Sequence, residues 1–388
     1  MRISAEWLKD RPTQKILRVL DRAGHQALVV GGCVRNTLLA VPVSDIDIAT
    51  SARPETVIEL TKSEGMKAIP TGLEHGTVTV VADKVPFEIT TFRRDVETDG
   101  RRAVVAFTDA LHEDARRRDF TMNAIYADAD GLVVDPLGGL PDLTARRVRF
   151  IEDANLRIRE DFLRSLRFFR FHAQYGDPDA GLDTEALAAI AANLEGLGTL
   201  PGERVGAEMR KLLTAADPAP ALAAMEATGA LHKILPGATT TFIAPLVHLE
   251  GQATRTPDFI RRLVALGGED PAERLRLSRA EEKARRALLQ VIEDGAKPAE
   301  IAWRCDAETA WSAVLVQQAI SGLPVPDGIS GAIDTGAGAD FPISARDLMP
   351  ELSGLAIGEA LAKMERAWID SDFALTHREL LGLLGNEG

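Results

Sequence analysis

The chain has 388 residues, 45% apolar and 27% charged, with a formal net charge of −13. That length and balance indicate a globular protein of two or three domains, and the acidic sum argues against an unselective nucleic-acid binder. The only cysteines, Cys33 and Cys305, are far apart, so neither a disulfide framework nor a zinc site is expected, and a cytoplasmic, reducing location is. No apolar run reaches the roughly 18 residues of a membrane span, and residues 1–10 carry no secretory signature.

Apolar spacing predicts an amphipathic helix over 14–23, then a buried strand over 27–30 followed by Gly31 and Gly32. A short helix over 34–40, an alternating strand over 44–50 and a helix over 54–63 come next, with Pro54 in the first turn of the last. Two β-rich runs, 76–82 and 86–91, are separated by Asp83 and Lys84. Together these make a small mixed sheet with flanking helices. After about residue 150 the strand signal stops. Helical spacing over 159–174, 183–193, 203–215, 219–228 and 279–294 predicts an all-α remainder, and the Gly- and Pro-rich stretch 324–342 reads as a loop before a last helical unit. Residues 90–170 hold fifteen Arg, no Lys and fifteen acids. Codon bias produces such a preference, and so does planar, bidentate recognition of phosphates or base edges.

Asp45-Ile46-Asp47 is the sharpest chemical feature. Residues two apart on a strand share a face, so both carboxylates project together while Ile46 and Ile48 turn to the core. Adjacent like charges repel unless a cation sits between them, and Mg²⁺ suits such oxygen ligands while keeping positions for substrate phosphates. A solvated edge strand is the plain alternative. Just upstream, Gly31-Gly32-Cys33-Val34-Arg35 sits at a strand-to-helix turn. There glycines admit an anion close to the backbone and Arg35 can pair with it. Glu88 is a candidate third carboxylate, because an acid within an apolar strand needs a partner; an Arg would serve that need equally well.

These residues, with Asp45 to Thr50, resemble the signature of class II CCA-adding enzymes and bacterial poly(A) polymerases, of the DNA polymerase β nucleotidyltransferase superfamily. The chain departs from that pattern at Asn36, where the family commonly has Asp. The resemblance implies an α+β nucleotidyltransferase head over 1–140, a helical neck carrying the base template over 141–235 and a helical, RNA-binding body and tail over 236–388. It continues through Arg117-Arg118-Asp119-Phe120-Thr121-Met122-Asn123, similar to the family's ribose-binding motif. Arg118, Asp119 and Asn123 would then contact the nucleotide, the last two lying one helical turn apart. Residues 135–143 resemble the hinge between head and neck.

Glu160-Asp161-Phe162-Leu163-Arg164 resembles the base-template motif. On a helix Asp161 and Arg164 are neighbours, and a surface salt bridge is the plain reading. As a template, Asp161 only accepts hydrogen bonds and Arg164 only donates. Cytosine and adenine each offer an amino donor beside an acceptor, whereas uracil and guanine put a carbonyl before Asp161. Such contacts discriminate by about 1–3 kcal/mol each. Arg167 and Arg170 continue the face toward the triphosphate. Residues 93–106 resemble the flexible loop with which complete CCA-adding enzymes switch from CTP to ATP. Residues 203–212 resemble a fifth, bracing motif, and the basic run 255–286 is a candidate for RNA phosphates.

The resemblance implies a metal-dependent enzyme using Mg²⁺, CTP, ATP and tRNA, with no membrane or obligate protein partner. A poly(A) polymerase, an A-adding-only relative and a catalytically silent RNA-binding protein remain the alternatives.

Overall fold

The computed structural model describes residues 1–99, 102–349 and 352–384. They form two compact units, Met1–Pro236 and Gly237–Gly388. The first is α+β. Its strands are β1 (Ala27–Val30), β2 (Asp47–Thr50), β3 (Lys67–Gly72), β4 (Thr77–Ala82), β5 (Val85–Thr91), β6 (Arg93–Asp99), β7 (Arg102–Phe107), β8 (Tyr126–Ala127) and β9 (Val133–Val134). Seven of them make one sheet in the order β3-β4-β5-β2-β1-β8-β9, and β6 with β7 makes a separate two-stranded sheet. Only β2 and β5 run parallel; every other pairing is antiparallel, so the sheet is mixed as expected.

Local chemistry explains most of these elements. β1 is buried along its whole length, as befits a central strand covered on both faces. Asp83 and Lys84 both take positive φ, 49° and 71°, giving the turn handedness that matches the twist of a two-residue hairpin. Pro54 opens the helix Pro54–Ser63, where its missing N–H costs nothing. β3, β8 and β9 had no clear sequence signal: β3 alternates poorly between apolar and polar, and the other two are two residues long.

Three expectations need correction. The predicted helix over 159–174 is two helices, Ala154–Glu160 and Leu163–Tyr175. The chain breaks at Asp161, which is extended at φ −154° and ψ 105°; its Oδ1 accepts the Leu163 N–H at 3.1 Å, capping the second helix. The predicted strand over 44–50 shrinks to β2, so Asp45 stands just before it. The stretch 324–342 contains the helix Ile329–Ala337. Its glycines serve packing as well as turning: a Cβ on Gly336 would lie 2.0 Å from the Ala299 carbonyl oxygen, so only glycine permits that helix approach.

Residues 93–106, which resemble the family's flexible loop, fall within the strand pair β6–β7. Gly100 and Arg101 lie outside the described residues.

The second unit is helical among its described residues, and no helix described is long and apolar enough to cross a membrane. Its basic run is less available than the sequence implied. Arg261 and Arg262 are buried and both pair with buried Glu250, at 2.9 and 2.7 Å.

Candidate nucleotide and metal site

The site grows from the middle of the large sheet. β2 and β5 pair so that Asp47 lies opposite Glu88. Parallel partners in register point to the same face, so the two carboxylates are forced together. Burial raises the Asp47 proton affinity, and Glu88 and Asp45 raise it further, with Arg118 opposing. β5 lies between β4 and β2, so Glu88 is not an edge-strand acid, and no Arg pairs with it among the described residues. Asp45 is exposed and accepts from Ser44 Oγ at 2.8 Å. Ile48 is buried as predicted, whereas Ile46 is half-buried.

This donor set fits a hard divalent cation. Asp47 and Glu88 stand side by side and the Asp45 charge also acts on Asp47, a repulsion that a metal would relieve. No group of three or more His, Cys, Asp or Glu among the described residues forms a ready-made metal cage. An open site with few protein ligands is the arrangement Mg²⁺ accepts when substrate oxygens complete its shell.

Beside the carboxylates, β1 ends at Gly31, whose φ of 71° suits glycine. A Cβ there would sit 3.6 Å from Arg118 Nη1. Gly32 opens the helix Gly32–Leu38, which carries buried Arg35. Arg35 Nη1 donates to Asn123 Oδ1, 88 residues away. Asn123 Nδ2 in turn donates to Asp119 Oδ1 at 3.0 Å. Asp119 and Asn123 therefore do share a face, although the turn between them is a single 3₁₀ turn, Thr121–Asn123. Burial alone would raise the Asp119 proton affinity; Arg167, Asn123 and the Phe120 N–H outweigh it and hold the carboxyl down at about 2. Arg167 Nε and Nη2 both donate to Asp119 Oδ2.

Aromatic packing fixes this turn against the neck. The Phe120 ring lies 5.0 Å from Phe150 and 4.9 Å from Phe171, and Phe150 stacks on Phe168 at 5.7 Å. Asp135, in the expected hinge, accepts from the Gly139 and Leu140 N–H groups at 2.8 and 2.9 Å, so this bend is pinned.

The side chains of the template pair do not pair with each other. Asp161 Oδ2 accepts from Arg204 Nη2 at 2.7 Å. Arg164 donates to Glu160, to the Arg157 carbonyl at 3.0 Å and to the Arg117 carbonyl at 2.9 Å. Asp161 and Arg164 are neighbours as expected, the Arg164 N–H donating to the Asp161 carbonyl at 3.0 Å, but their side chains enter two separate partnerships. Arg170, expected to face the triphosphate, is buried and turned to Glu208 and to Gln174 Oε1.

Sequence reasoning missed Asp114 and Tyr126 as parts of this site, and had Arg204 and Glu208 only within the bracing stretch 203–212. Asp114 is fully buried and accepts from Arg117 Nε at 2.8 Å, Tyr126 Oη at 2.8 Å and Arg118 Nη2 at 3.2 Å. An acid three and four residues before two arginines is a readable helix signal. Tyr126 carries none, and the motif around Glu208 does not reveal its partner Arg170, 38 residues earlier. Cys33 is buried, and burial followed by the neighbouring Asp47 charge pushes its thiol up to about 12, so it is a packing residue.

Comparison with known proteins matches two family models: the poly A polymerase head domain over residues 27–149, and the probable RNA and SrmB-binding site of polymerase A over 181–241. The mouse protein named CCA tRNA nucleotidyltransferase 1, mitochondrial, is 41% identical over 202 residues, 52% of this chain and 46% of that protein. The CCA-adding enzyme of Geobacillus thermodenitrificans is 43% identical over 224 residues, 57% and 54% of the two chains. The chain thus spans about half the length of the curated relatives it matches. Among solved structures, the Bacillus stearothermophilus CCA-adding enzyme in complex with CTP aligns at 30% identity and a TM-score of 0.74, over 93% of each chain.

Proposed function

This chain belongs to the CCA-adding nucleotidyltransferase family, and on that premise we propose that it adds CCA to the 3′ end of tRNA from CTP and ATP, releasing pyrophosphate. What carries the reading is the pairing of Asp47 with Glu88 on central strands beside the Gly31–Gly32 turn, together with the Arg35–Asn123–Asp119 network. A hydrolase or a passive binding fold has no need of both. The two unpaired cysteines suit a cytoplasmic setting.

In this proposal the RNA 3′-hydroxyl oxygen bonds to the α-phosphorus of the nucleotide as the bond to the pyrophosphate oxygen breaks. Asp45 and Asp47 hold Mg²⁺, with Glu88 as a third carboxylate, and the cation supplies charge neutralisation and hydroxyl activation when bound. Arg35 and Arg118 face the phosphates across the Gly31–Gly32 turn, where a side chain would obstruct the approach. Asp119 and Asn123 meet the ribose hydroxyls. Arg167 orients Asp119, and Arg170 braces the neck through Glu208. Asp161 and Arg164 read the base edge, so an incoming base competes with Arg204 for the first and with Glu160 for the second. Residues 1–140 act as catalytic head, 141–235 as template neck and 236–388 as RNA-binding body.

The test is incorporation by purified protein, with magnesium, on tRNA lacking CCA, ending in C, or ending in CC. Two cytidines, one adenosine and a stop support the proposal. A growing adenosine ladder favours a poly(A) polymerase, the reading that the head-domain family description keeps alive. Adenosine only after CC indicates an A-adding specialist. The pair of substitutions Asp45→Ala and Asp47→Ala abolishes all products if the metal assignment is right; surviving incorporation would falsify it.

A further inference from the structure

Four guanidinium groups gather around the cleft, and three have their charge met by the chain. Arg118 pairs with Asp114, Arg167 with Asp119 and Arg170 with Glu208. The fourth, Arg35, is 6% exposed and, among the described residues, hydrogen-bonds only to neutral amides. Nη1 donates to Asn123 Oδ1, while Nε and Nη2 donate to Asn36 Oδ1 at 3.1 and 2.8 Å. Tyr175 and Phe171 lie against it, their ring centroids 3.9 and 5.0 Å from the guanidinium carbon. Asp119, reached through Asn123, acts on it only through space and is itself held by Arg167. A buried cation with no direct ion pair is costly, so its persistence points to an anion supplied from outside. The approach lies over Gly32, where a Cβ would stand 3.8 Å from Arg35 Nη2.

Asn36 is bound on both sides. Its Nδ2 donates to the Pro42 carbonyl oxygen at 2.7 Å, and its own carbonyl accepts the Val41 N–H at 2.8 Å. It thereby tethers the segment that runs on to Asp45. The amide orientation follows from the partners: reversed, its NH₂ would face guanidinium donors and its oxygen a carbonyl. A carboxylate, the group the family commonly carries here, would change both contacts in this chain. One oxygen would oppose the Pro42 carbonyl where a hydrogen bond now runs, and the other would give Arg35 a direct ion pair.

We propose that Asn36 is a positioning residue that sets the anion affinity of the cleft, its neutral amide keeping the Arg35 charge available to a polyphosphate while tethering the segment before Asp45. That the natural anion is the triphosphate of a nucleotide rests on the function proposed above.

The experiment is calorimetric titration of metal-free protein with inorganic pyrophosphate, so it reads anion affinity without RNA or turnover. Asn36→Asp weakens binding about tenfold, the effect of roughly one ion pair's worth of competition. Asn36→Ala, which removes the tether but adds no charge, holds within about threefold yet lowers kcat for incorporation more than it raises KM. In an Arg35→Gln background Asn36→Asp has no further effect on pyrophosphate. Unchanged affinity in Asn36→Asp, or an equal penalty when Arg35 is absent, overturns the proposal. If Asn36→Asp does not fold, Asn36→Ala still decides: a tenfold loss of pyrophosphate there would show that the hydrogen bonds, and not neutrality, matter. A protein that binds pyrophosphate as expected but extends no tRNA would instead count against the function alone.

Discussion

Replacing Asp114 by alanine is the most informative perturbation of the head. The carboxylate is fully buried and serves Arg117, Arg118, Tyr126 Oη and, at 3.4 Å, the Arg93 N–H. Although burial opposes ionisation, Arg118 and Arg117 hold its proton affinity below the usual carboxylate range. Alanine would leave the Tyr126 hydroxyl without this acceptor and two guanidinium groups without their counter-ion. Breaking a fully buried pair costs about 3–5 kcal/mol. Arg117 and Arg118 keep 16% and 18% of their side chains exposed, so solvent recovers part of that, and we expect a loss of about 2–3 kcal/mol. Urea unfolding followed by a probe in the first unit measures it as a lowered midpoint at unchanged slope. The nucleotide KM rises with it, because Arg118 loses the anchor that aims it across Gly31. A loss below about 1 kcal/mol together with an unchanged KM would refute the view that this buried charge organises the cleft.

Three further substitutions separate sterics from charge. Gly139→Ala puts a Cβ 2.2 Å from the Thr121 carbonyl oxygen, at a φ of −80° that alanine otherwise accepts. The resulting overpacking costs about 1–3 kcal/mol and disturbs the turn of Asp119 and Asn123, so nucleotide KM rises. Gly138→Ala meets open space at φ 69° and costs only the left-handed strain, about 1 kcal/mol, with KM unchanged. Asp119→Asn tests the ion pair through pH. With the native carboxyl held at about 2 and the unfolded one near the ordinary value of about 3.9, its stabilisation is fully present above the unfolded value and is lost as pH falls through 2. The stability gap between parent and variant, read by urea unfolding, is therefore flat above pH ~5 and narrows below pH ~4.

The parts of this molecule legible in its sequence are those fixed by near neighbours. The buried strand at Ala27–Val30 and the helix Pro54–Ser63 fall where the pattern puts them, and Asp83 with Lys84 marks a real hairpin turn. The break at Asp161 was not legible, because no glycine or proline interrupts the run from Arg159 onward. It is stabilised by a partner 43 residues later, Arg204. The helix Ile329–Ala337 was hidden for the opposite reason: glycine is the residue of loops, yet here it admits the Ala299 backbone. Catalytic residue types were readable as motifs, but their pairing was not, since Arg35 to Asn123 and Arg167 to Asp119 span 88 and 48 residues.

That pairing changes how the site is understood. Asp119, Asp161, Arg164 and Arg167 hold each other's elements before any nucleotide arrives: Arg167 joins the neck to Asp119, and Arg164 joins it to the Arg117 carbonyl. Ligand recognition then exchanges partners rather than filling unsatisfied positions. An exchanged hydrogen bond contributes only about 1 kcal/mol net, so selectivity between bases rests on the mismatch penalty of a wrong edge, not on the strength of a right one. Arg35 is the exception, because its partners are neutral amides. On the function proposed above, the cleft would separate its tasks: charge-driven capture of the polyphosphate on Arg35, and base choice by competition at Asp161 and Arg164.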